Sequence, residues 1–113
     1  MSVIKRNLSD EDWEPWVGEG YHNAYSTMMV QKTSVSAVST RLIRLESGGH
    51  TGSHSHDRVH HVVAIEGQAM LETDHEKIEL DHLVLVEISA NVPHRFVNRE
   101  NESAVILVLN LFK

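Results

Sequence analysis

Cysteine is absent from this chain of 113 residues. Its absence excludes disulfide bonds, thiolate metal ligands and cysteine nucleophiles, and the redox compartment cannot be read from thiols. Any catalytic or metal chemistry must therefore come from other side chains.

Basic side chains are scarce as well: 10 lysines and arginines stand against 16 acidic residues, which gives a net charge of −6. They are scattered along the chain, whereas a nucleic-acid-binding face is rich in clustered lysine and arginine. We therefore expect no nucleic-acid partner.

Long apolar runs are missing too. The longest aliphatic stretch, Ala104 to Leu109, is far shorter than the about 20 residues that a membrane helix needs. Residues 1–7 contain no run that resembles a secretory signal. We expect a cytoplasmic protein without a membrane partner, and the chain length suits one domain with a single core.

From about Tyr25 onward the sequence alternates between short apolar segments and turn residues such as glycine, asparagine and aspartate. Many short strands at such spacing predict an all-β sandwich or barrel, and closure into a barrel removes exposed sheet edges. The predicted strands are Met28–Lys32, Val38–Glu46, His60–Glu66, Gln68–Thr73, Lys77–Leu80, Leu83–Ile88, Arg95–Asn98 and Ala104–Phe112.

Two features of these segments predict local structure. Gly67 stands between two predicted strands and indicates a tight hairpin turn with a positive φ. Leu83–Val86 and Ala104–Leu109 do not alternate between polar and apolar residues, so we expect both of their faces to be covered.

Residues 1–24 differ from the rest, and we predict an N-terminal arm there, followed by one β-barrel domain over residues 25–113. The Ser-Asp-Glu-Asp sequence at 9–12 can cap a short helical turn, because carboxylates stabilise a helix N-terminus. Trp13, Trp16 and Tyr21 are expected to pin the arm to the outside of the barrel or to pack on a partner subunit.

Histidines form the candidate site: His54, His56 and His60 lie in one segment, and His94 follows a proline further along. Alternate residues of a strand point to the same face, so His54 and His56 project together, and His60 keeps that parity if the extended conformation continues. Such imidazoles can converge on a divalent cation, with His94 closing the set from a neighbouring strand. Because the chain has nine histidines, ordinary polar side chains are the alternative.

The spacing resembles the two conserved motifs of the cupin superfamily. The first motif runs glycine, five residues, His-x-His, three or four residues, glutamate, six residues and glycine, and it is matched from Gly48 to Gly67. The second motif, Pro-x-Gly-x-x-His-x-x-x-Asn, is matched from Ser89 to Asn98. Within the first motif, His60 stands where most cupins have a glutamate.

Two turns depart from the cupin pattern. Ser89 and Asn91 replace proline and glycine, and asparagine is the most tolerable substitute at a left-handed position, so we expect that turn to survive. Leu83-Val84 replaces a common Gly-Asp turn. The preceding Asp81-His82 can make the turn instead, which would lengthen the next strand.

The resemblance implies an all-β double-stranded β-helix, or jelly-roll barrel, with a four-histidine metal site at His54, His56, His60 and His94. The cofactor would be one divalent transition metal ion, namely manganese, iron, zinc, nickel or copper. Four neutral imidazoles leave the +2 charge uncompensated, which makes the ion a strong Lewis acid. Small cupins also resemble homodimers, so we expect a homodimer with Ala104–Phe112 and the N-terminal arm as contact surfaces.

The resemblance leaves the function open between two classes. The first is a metalloenzyme, of the oxygenase or the isomerase/lyase type, acting on a small organic molecule inside the barrel. The alternative is a non-catalytic module that binds or senses a small molecule, because one fold supports both. A closed tetrahedral site that only stabilises the domain is a weaker third possibility. No acid or base outside the histidines can be assigned. The candidate cavity walls are Ile43, Val62, Ala64, Met70, Phe96 and Ile106, and the favoured alternative for each of them is a place in the plain barrel core.

Overall fold

A computed structural model describes residues 3, 5, 7, 8, 13–30 and 37–112. All regular secondary structure in this described part of the chain is β. The strands are β1 (Glu14–Pro15), β2 (His22–Val30), β3 (Val38–His50), β4 (Val59–Glu66), β5 (Ala69–Thr73), β6 (Lys77–Leu80), β7 (Leu85–Ile88), β8 (His94–Val97) and β9 (Ala104–Leu111). Within the described ranges, no helix is long and apolar enough to cross a membrane.

The strands form one antiparallel sheet in the order β6-β5-β8-β3-β9-β4-β7, with β2 on β3 and β1 on β2. Strand β3 is the longest, at 13 residues, and its length lets it pair with β9 over its first eight residues and reach β8 through His50 and Val97. The sheet thereby curls into a nearly closed barrel. The all-β barrel predicted from the sequence is confirmed.

Side-chain alternation along β4 shows how the sequence places the core. His60, Val62 and Ala64 are buried, whereas His61 faces outward, with its Nε2 atom 3.0 Å from a carboxylate oxygen of Glu87. The largest side chains with under 2% exposure include Leu45, Leu71, Leu80 and Ile106. Burial of each such side chain is worth about 1.5–3 kcal/mol, so this apolar interior holds the barrel around the site.

The two uninterrupted apolar segments differ in how far they are buried. Strand β9 hydrogen-bonds to β3 along one edge and to β4 along the other, and all of its residues are buried or half-buried, as predicted. The prediction that Leu83–Val86 is covered on both faces is wrong, because Leu83 is 68% exposed and Leu85 is 64% exposed. Leu83 is exposed because it lies in the turn before β7, and Leu85 lies on β7, which ends the sheet order and has β4 as its one neighbour among the described strands.

The turn before β7 explains the late start of that strand. Leu83 has a φ of 66°, and the backbone N–H of Val84 donates to the carbonyl of Asp81 at 3.0 Å. The chain therefore turns across His82 and Leu83, and the strand begins at Leu85 instead of being lengthened. The left-handed turn at Asn91, with a φ of 67°, survives as predicted.

The other boundaries differ by a few residues. Gly67 has the predicted positive φ, 69°, and a Cβ atom there would collide with the carbonyl oxygen of Ser103. Strand β2 starts at His22, earlier than the predicted Met28, because its pairing with β3 extends to His50. The end of that predicted strand and the helical turn predicted at 9–12 lie outside the described residues.

Candidate metal centre

Three of the four predicted ligands come together at one end of the barrel. His56, His60 and His94 each offer a ring nitrogen, and these nitrogens all lie within 4.8 Å of one another. The ring centroids are separated by 5.1 Å for His56 and His60, 5.7 Å for His56 and His94, and 5.2 Å for His60 and His94. Three imidazoles at such distances can ligate one divalent ion after small side-chain adjustments.

Backbone hydrogen bonds join the two distant parts of the sequence that carry these histidines. His54 and His94 form an isolated antiparallel bridge, with N···O distances of 3.0 and 2.9 Å. The backbone N–H of Asn91 donates to the carbonyl of His56 at 2.7 Å. The segment after β3 is therefore fastened to the turn that precedes β8, and His56 is held opposite His94.

The chain does not stay extended between His56 and His60, so strand parity does not connect these two residues. Asp57 and Arg58 form a bend, and β4 begins only at Val59. His60 reaches the cluster because it lies on the inward face of β4, not because the chain stays extended from His54. The prediction that His60 joins the cluster is therefore correct, but the cause is its inward position on β4 and not an extended chain from His54.

Two of the rings have their protonation pattern fixed by acceptors on the Nδ1 side. The Nδ1 atom of His60 lies 2.6 Å from the Oδ1 atom of Asn110, and that of His94 lies 2.9 Å from the carbonyl oxygen of Val92. Because these oxygens only accept hydrogen bonds, each Nδ1 carries the proton and donates it. Each Nε2 atom then presents a lone pair to the cluster, as a metal ligand must.

The Nε2 atom of His60 is buried and has no hydrogen-bond partner in the described structure. An unsatisfied buried polar atom costs about 1–3 kcal/mol. A bound cation would satisfy this lone pair, so the residues present fit a divalent metal ion.

The environment keeps the three imidazoles neutral. Burial lowers the pKa of His56 and that of His60 to about 4, and the positive charge of Arg58 acts in the same direction on both. Burial also lowers the pKa of His94, against the effect of its hydrogen bond to Val92. Neutral rings are the form that binds metals, so the site is prepared for a cation at neutral pH.

His54 does not join the three ligand nitrogens in this group. Its side chain is exposed, and its ring stacks on that of His56 at 6.0 Å and lies 5.6 Å from that of Tyr21. A Cβ atom built on Gly52 would lie 3.1 Å from the Nε2 atom of His54. The Nε2 atom therefore faces the backbone of Gly52. The structure therefore brings three of the four predicted histidines together, with the fourth beside them.

A cavity of about 290 Å³ opens next to the cluster, and all four histidines line it. Of the candidate wall residues, Ile43 and Phe96 line it and also belong to the buried core. Val62, Ala64 and Ile106 belong instead to the buried barrel core, and Met70 lines a separate surface depression. The cavity is a suitable size for a small molecule in contact with the histidines.

The N-terminal aromatic residues take part in the site. Trp16 and Tyr21 line the cavity and contact each other at 5.0 Å between ring centroids, and the backbone N–H of Trp16 donates to the carbonyl of Ala24 at 2.8 Å. The sequence predicted that they pack on the outside of the barrel or on a partner. The short pairing of β1 with β2 turns this segment back over the cavity mouth.

Several residues that line the cavity are not indicated as site residues by the sequence pattern, among them Arg41, Arg58 and Asn110. Asn110 could have been predicted, because it is a single polar residue near the end of the apolar strand β9. It is two residues after the buried Val108, so its side chain points to the same, inward face. The two arginines could not be predicted, because arginine is common at the surface of strands and loops. Only the fold turns them toward the histidines.

Comparison with known proteins agrees with this geometry. The cupin domain family matches residues 41–110, a range that includes all four predicted histidines. No curated protein matches the chain.

Several solved structures share the fold at low sequence identity. A polyketide cyclase from Streptomyces resistomycificus aligns with a TM-score of 0.80 and 16% identity, over 97% of this chain and 81% of that one. A sugar phosphate isomerase of the cupin superfamily from Silicibacter pomeroyi gives 0.74 and 21%, over 96% and 76%. The cupin domain of a transcriptional regulator from Enterobacter cloacae gives 0.71 and 18%, over 81% and 99%. The likeness establishes the barrel fold, which these enzymes share with a regulator domain.

Proposed function

Because the chain belongs to the cupin domain family, we propose that it is a metalloprotein in which His56, His60 and His94 hold one divalent transition metal ion. The observation that carries this proposal is the buried Nε2 atom of His60, which has no partner among the described residues and lies beside two further imidazoles. Imidazole ligands suit zinc, copper, iron and nickel. Manganese, found in similar cupins, completes the set of candidate metals.

We infer that His54 is an additional ligand that joins when the metal binds. Its ring already stacks on His56, and rotation of an exposed side chain costs little. The three buried or half-buried imidazoles would then form the permanent part of the site, and His54 its exchangeable part. This arrangement leaves room on the cavity side for a small molecule.

We propose that the protein is an enzyme of the isomerase/lyase or oxygenase type acting on a small organic molecule in the cavity. A metal with neutral imidazole ligands would supply Lewis-acid polarisation of a substrate oxygen. The chain's own residues would position the substrate: the indole of Trp16 and the ring of Phe96 pack against it, and the cavity walls limit access of water. A polyketide cyclase and a sugar phosphate isomerase with this fold support an enzymatic function.

A non-catalytic sensing module is the second candidate, and one observation favours it. Within the described chain no carboxylate lines the cavity, so the usual acidic general base is missing from its walls. The regulator domain from Enterobacter cloacae has the same barrel. In this function the metal would organise the pocket for a ligand that is bound and released unchanged.

Metal titration of the metal-free protein tests the shared part of both proposals. We expect one tightly bound equivalent, a loss of affinity in the alanine variants of His56, His60 and His94, and no change in the control His61→Ala, whose side chain points outward. A smaller loss in His54→Ala supports its role as an exchangeable fourth ligand. Wild-type affinity in all three core variants would contradict the metal centre.

Turnover separates the enzyme from the sensor. The metal-loaded protein is incubated with dicarbonyl, phenolic and sugar-acid compounds, and products are analysed by mass spectrometry. Product formation that His94→Ala abolishes supports the enzyme. Ligand-dependent melting without any product, with every metal loaded, supports the sensor. The homodimer and the cytoplasmic location stay predictions.

A further inference from the structure

The cavity beside the histidines has an unusual charge balance for this acidic chain. The chain carries 16 acidic residues, yet the described residues that line the cavity include two arginines, Arg41 and Arg58, and no carboxylate. Both arginine residues are half-buried. With a divalent ion on the histidines, all formal charge at the cavity would be positive.

The partners of these arginines hold them in place without neutralising them. The guanidinium carbon of Arg41 lies 4.7 Å from the ring centroid of Trp16, and that of Arg58 lies 5.0 Å from the ring centroid of Phe112. The Nε atom of Arg58 also donates to the Oδ1 atom of Asn110 at 3.4 Å. Stacking on an aromatic ring fixes the direction of a guanidinium and leaves its N–H groups available to a ligand.

Other arginines of the described structure behave differently. Arg44, Arg95 and Arg99 each have a glutamate oxygen within ion-pair distance. No described carboxylate forms such a pair with Arg41 or Arg58. Described carboxylates thus pair with arginines outside the cavity, and none of the described residues supplies an anionic partner for the two cavity arginines.

Half-buried charges of one sign are unfavourable without an opposite charge. Burial lowers the pKa of Arg41 below its usual value; nearby Tyr21 acts in the opposite direction, and the charge of Arg58 adds to the lowering. Guanidinium groups do not lose their proton at physiological pH, so they cannot relieve the cost by becoming neutral. An anion bound between them would compensate both the desolvation and the mutual repulsion.

We propose that the cavity binds a small organic anion whose terminal oxyanion group, a carboxylate or a phosphate, is held by Arg41 and Arg58. Its apolar part packs against Trp16, Ile43 and Phe96, which line the same cavity. The volume of about 290 Å³ lies at the small end of ligand sites and limits the ligand to a compact molecule. The proposal deepens the proposed function, because it places the reactive part of the anion next to the metal, but anion binding itself requires only the arginines.

Binding of benzoate, phenyl phosphate and benzyl alcohol tests the proposal, measured by calorimetry and by tryptophan fluorescence on metal-free and on zinc-loaded protein. Each of these probes contains one benzene ring, and the probes differ in the group that the arginines would bind. We expect at least one of the two anions to bind at least tenfold more tightly than the neutral alcohol, with and without zinc. The tighter of the two anions identifies carboxylate or phosphate as the preferred group.

Variants then assign the effect to the two guanidinium groups. Arg41→Gln and Arg58→Gln are each expected to weaken anion binding at least tenfold and to leave the alcohol unaffected, and Arg41→Lys to retain part of the affinity. Lys77→Gln is the matched control, because it removes one positive charge from an exposed position on β6. It should change anion binding less than twofold.

The outcomes separate this inference from the proposed function. Anion binding that equals alcohol binding in the wild-type protein overturns the inference whether or not the variants fold. Anion binding that appears only with zinc and persists in both glutamine variants overturns it too, while the metal centre stands. Arginine-dependent anion binding without metal uptake or turnover supports the inference and contradicts the proposed function.

Discussion

The Nδ1 atom of His60 lies 2.6 Å from the Oδ1 atom of Asn110, and both side chains are buried. The two residues are 50 positions apart in the sequence and opposite each other on β4 and β9. The amide of Asn110 is itself oriented, because its Nδ2 atom donates to the hydroxyl of Ser39 at 3.2 Å. This relay fixes the ring of His60 with its other nitrogen aimed at His56 and His94.

Replacing Asn110 by alanine is therefore expected to weaken metal binding although Asn110 is not a ligand. Loss of such a supporting hydrogen bond costs about 10–100-fold in metal affinity. The measurement is a calorimetric titration with zinc. Asn101→Ala, at an exposed turn position, is the control and should bind zinc like the wild type. Equal affinities in the two variants would show that the His60 ring needs no support.

The metal-free protein is expected to lose stability as the pH falls from about 6.5 to 4. In the unfolded chain the histidines become protonated near 6.5, whereas the pKa of His56 and that of His60 are about 4 in the folded barrel. The unfolded state then binds more protons in this window, so the free energy of unfolding is greatest above pH 6.5 and declines toward pH 4. Thermal melting across this range measures the decline.

Two variants check the cause of that decline. His56→Gln should flatten the pH dependence, because it removes one of the depressed groups. His75→Gln, in an exposed turn, should not. The same pKa values predict that zinc stays bound well below pH 6.5, since protons begin to compete for the ligands only at lower pH. Release of zinc already at pH 6.5 would argue against neutral buried ligands.

Leu83→Gly is expected to raise the free energy of unfolding by about 0.5–1 kcal/mol. A left-handed conformation costs a β-carbon residue about 1–2 kcal/mol, only part of which is offset by the greater freedom of glycine in the unfolded chain. Leu83 has a φ of 66°, and its 68% exposed side chain contributes little burial. Urea denaturation measures the change.

Leu85→Gly is the matched comparison, because Leu85 is 64% exposed but has an extended conformation as the first residue of β7, where it pairs with Val63 on β4. Glycine within a strand destabilises by about 0.5–1 kcal/mol, so the two substitutions should act in opposite directions. Equal destabilisation by both would contradict the strain at Leu83.

Asn98 is expected to be essential for stability but not for metal binding. It is fully buried, its Nδ2 atom donates to the carbonyls of Leu45 at 2.9 Å and Glu102 at 2.7 Å, and its Oδ1 atom accepts from the N–H of Glu100 at 2.9 Å. Asn98→Ala leaves these buried groups without partners and should cost about 2–4 kcal/mol.

Urea denaturation of Asn98→Ala and Asn98→Asp checks this prediction. Aspartate has a similar shape but cannot donate when ionised, so it should fail as alanine does. Folded variant protein at low temperature should still take up zinc. A loss below 1 kcal/mol in both variants would show that water replaces the side chain.

Much of the fold could be predicted because it depends on local chemistry. The positive φ values of Gly67 and Asn91 follow from residue types that tolerate them, and the cover over β9 follows from its unbroken apolar run. The exposure of Leu83 could not be predicted, because its left-handed turn is held by a backbone hydrogen bond from Leu83 to Ala64 on β4 and not by any preference of leucine.

The site could be predicted only in part. The motif spacing identified His56, His60 and His94, which the barrel brings together. The same spacing also indicated His54, whose ring lies near Gly52 and Tyr21 instead. Spacing along the chain could not predict this, because it does not determine a side-chain rotamer. Arg41 and Arg58 had no signal at all, since their role depends on which carboxylates are absent around them.

By itself the sequence determined the β-strands, most of the turns and the residue types that can ligate a metal, because these depend on neighbours within a few positions. The tertiary structure alone decided which nitrogens meet, which ring Asn110 orients and that two guanidinium groups share a cavity that no described acid lines. These relations join residues up to 71 positions apart, such as Ser39 and Asn110. Contacts at that separation arise from the closure of the barrel, which no short stretch of sequence encodes.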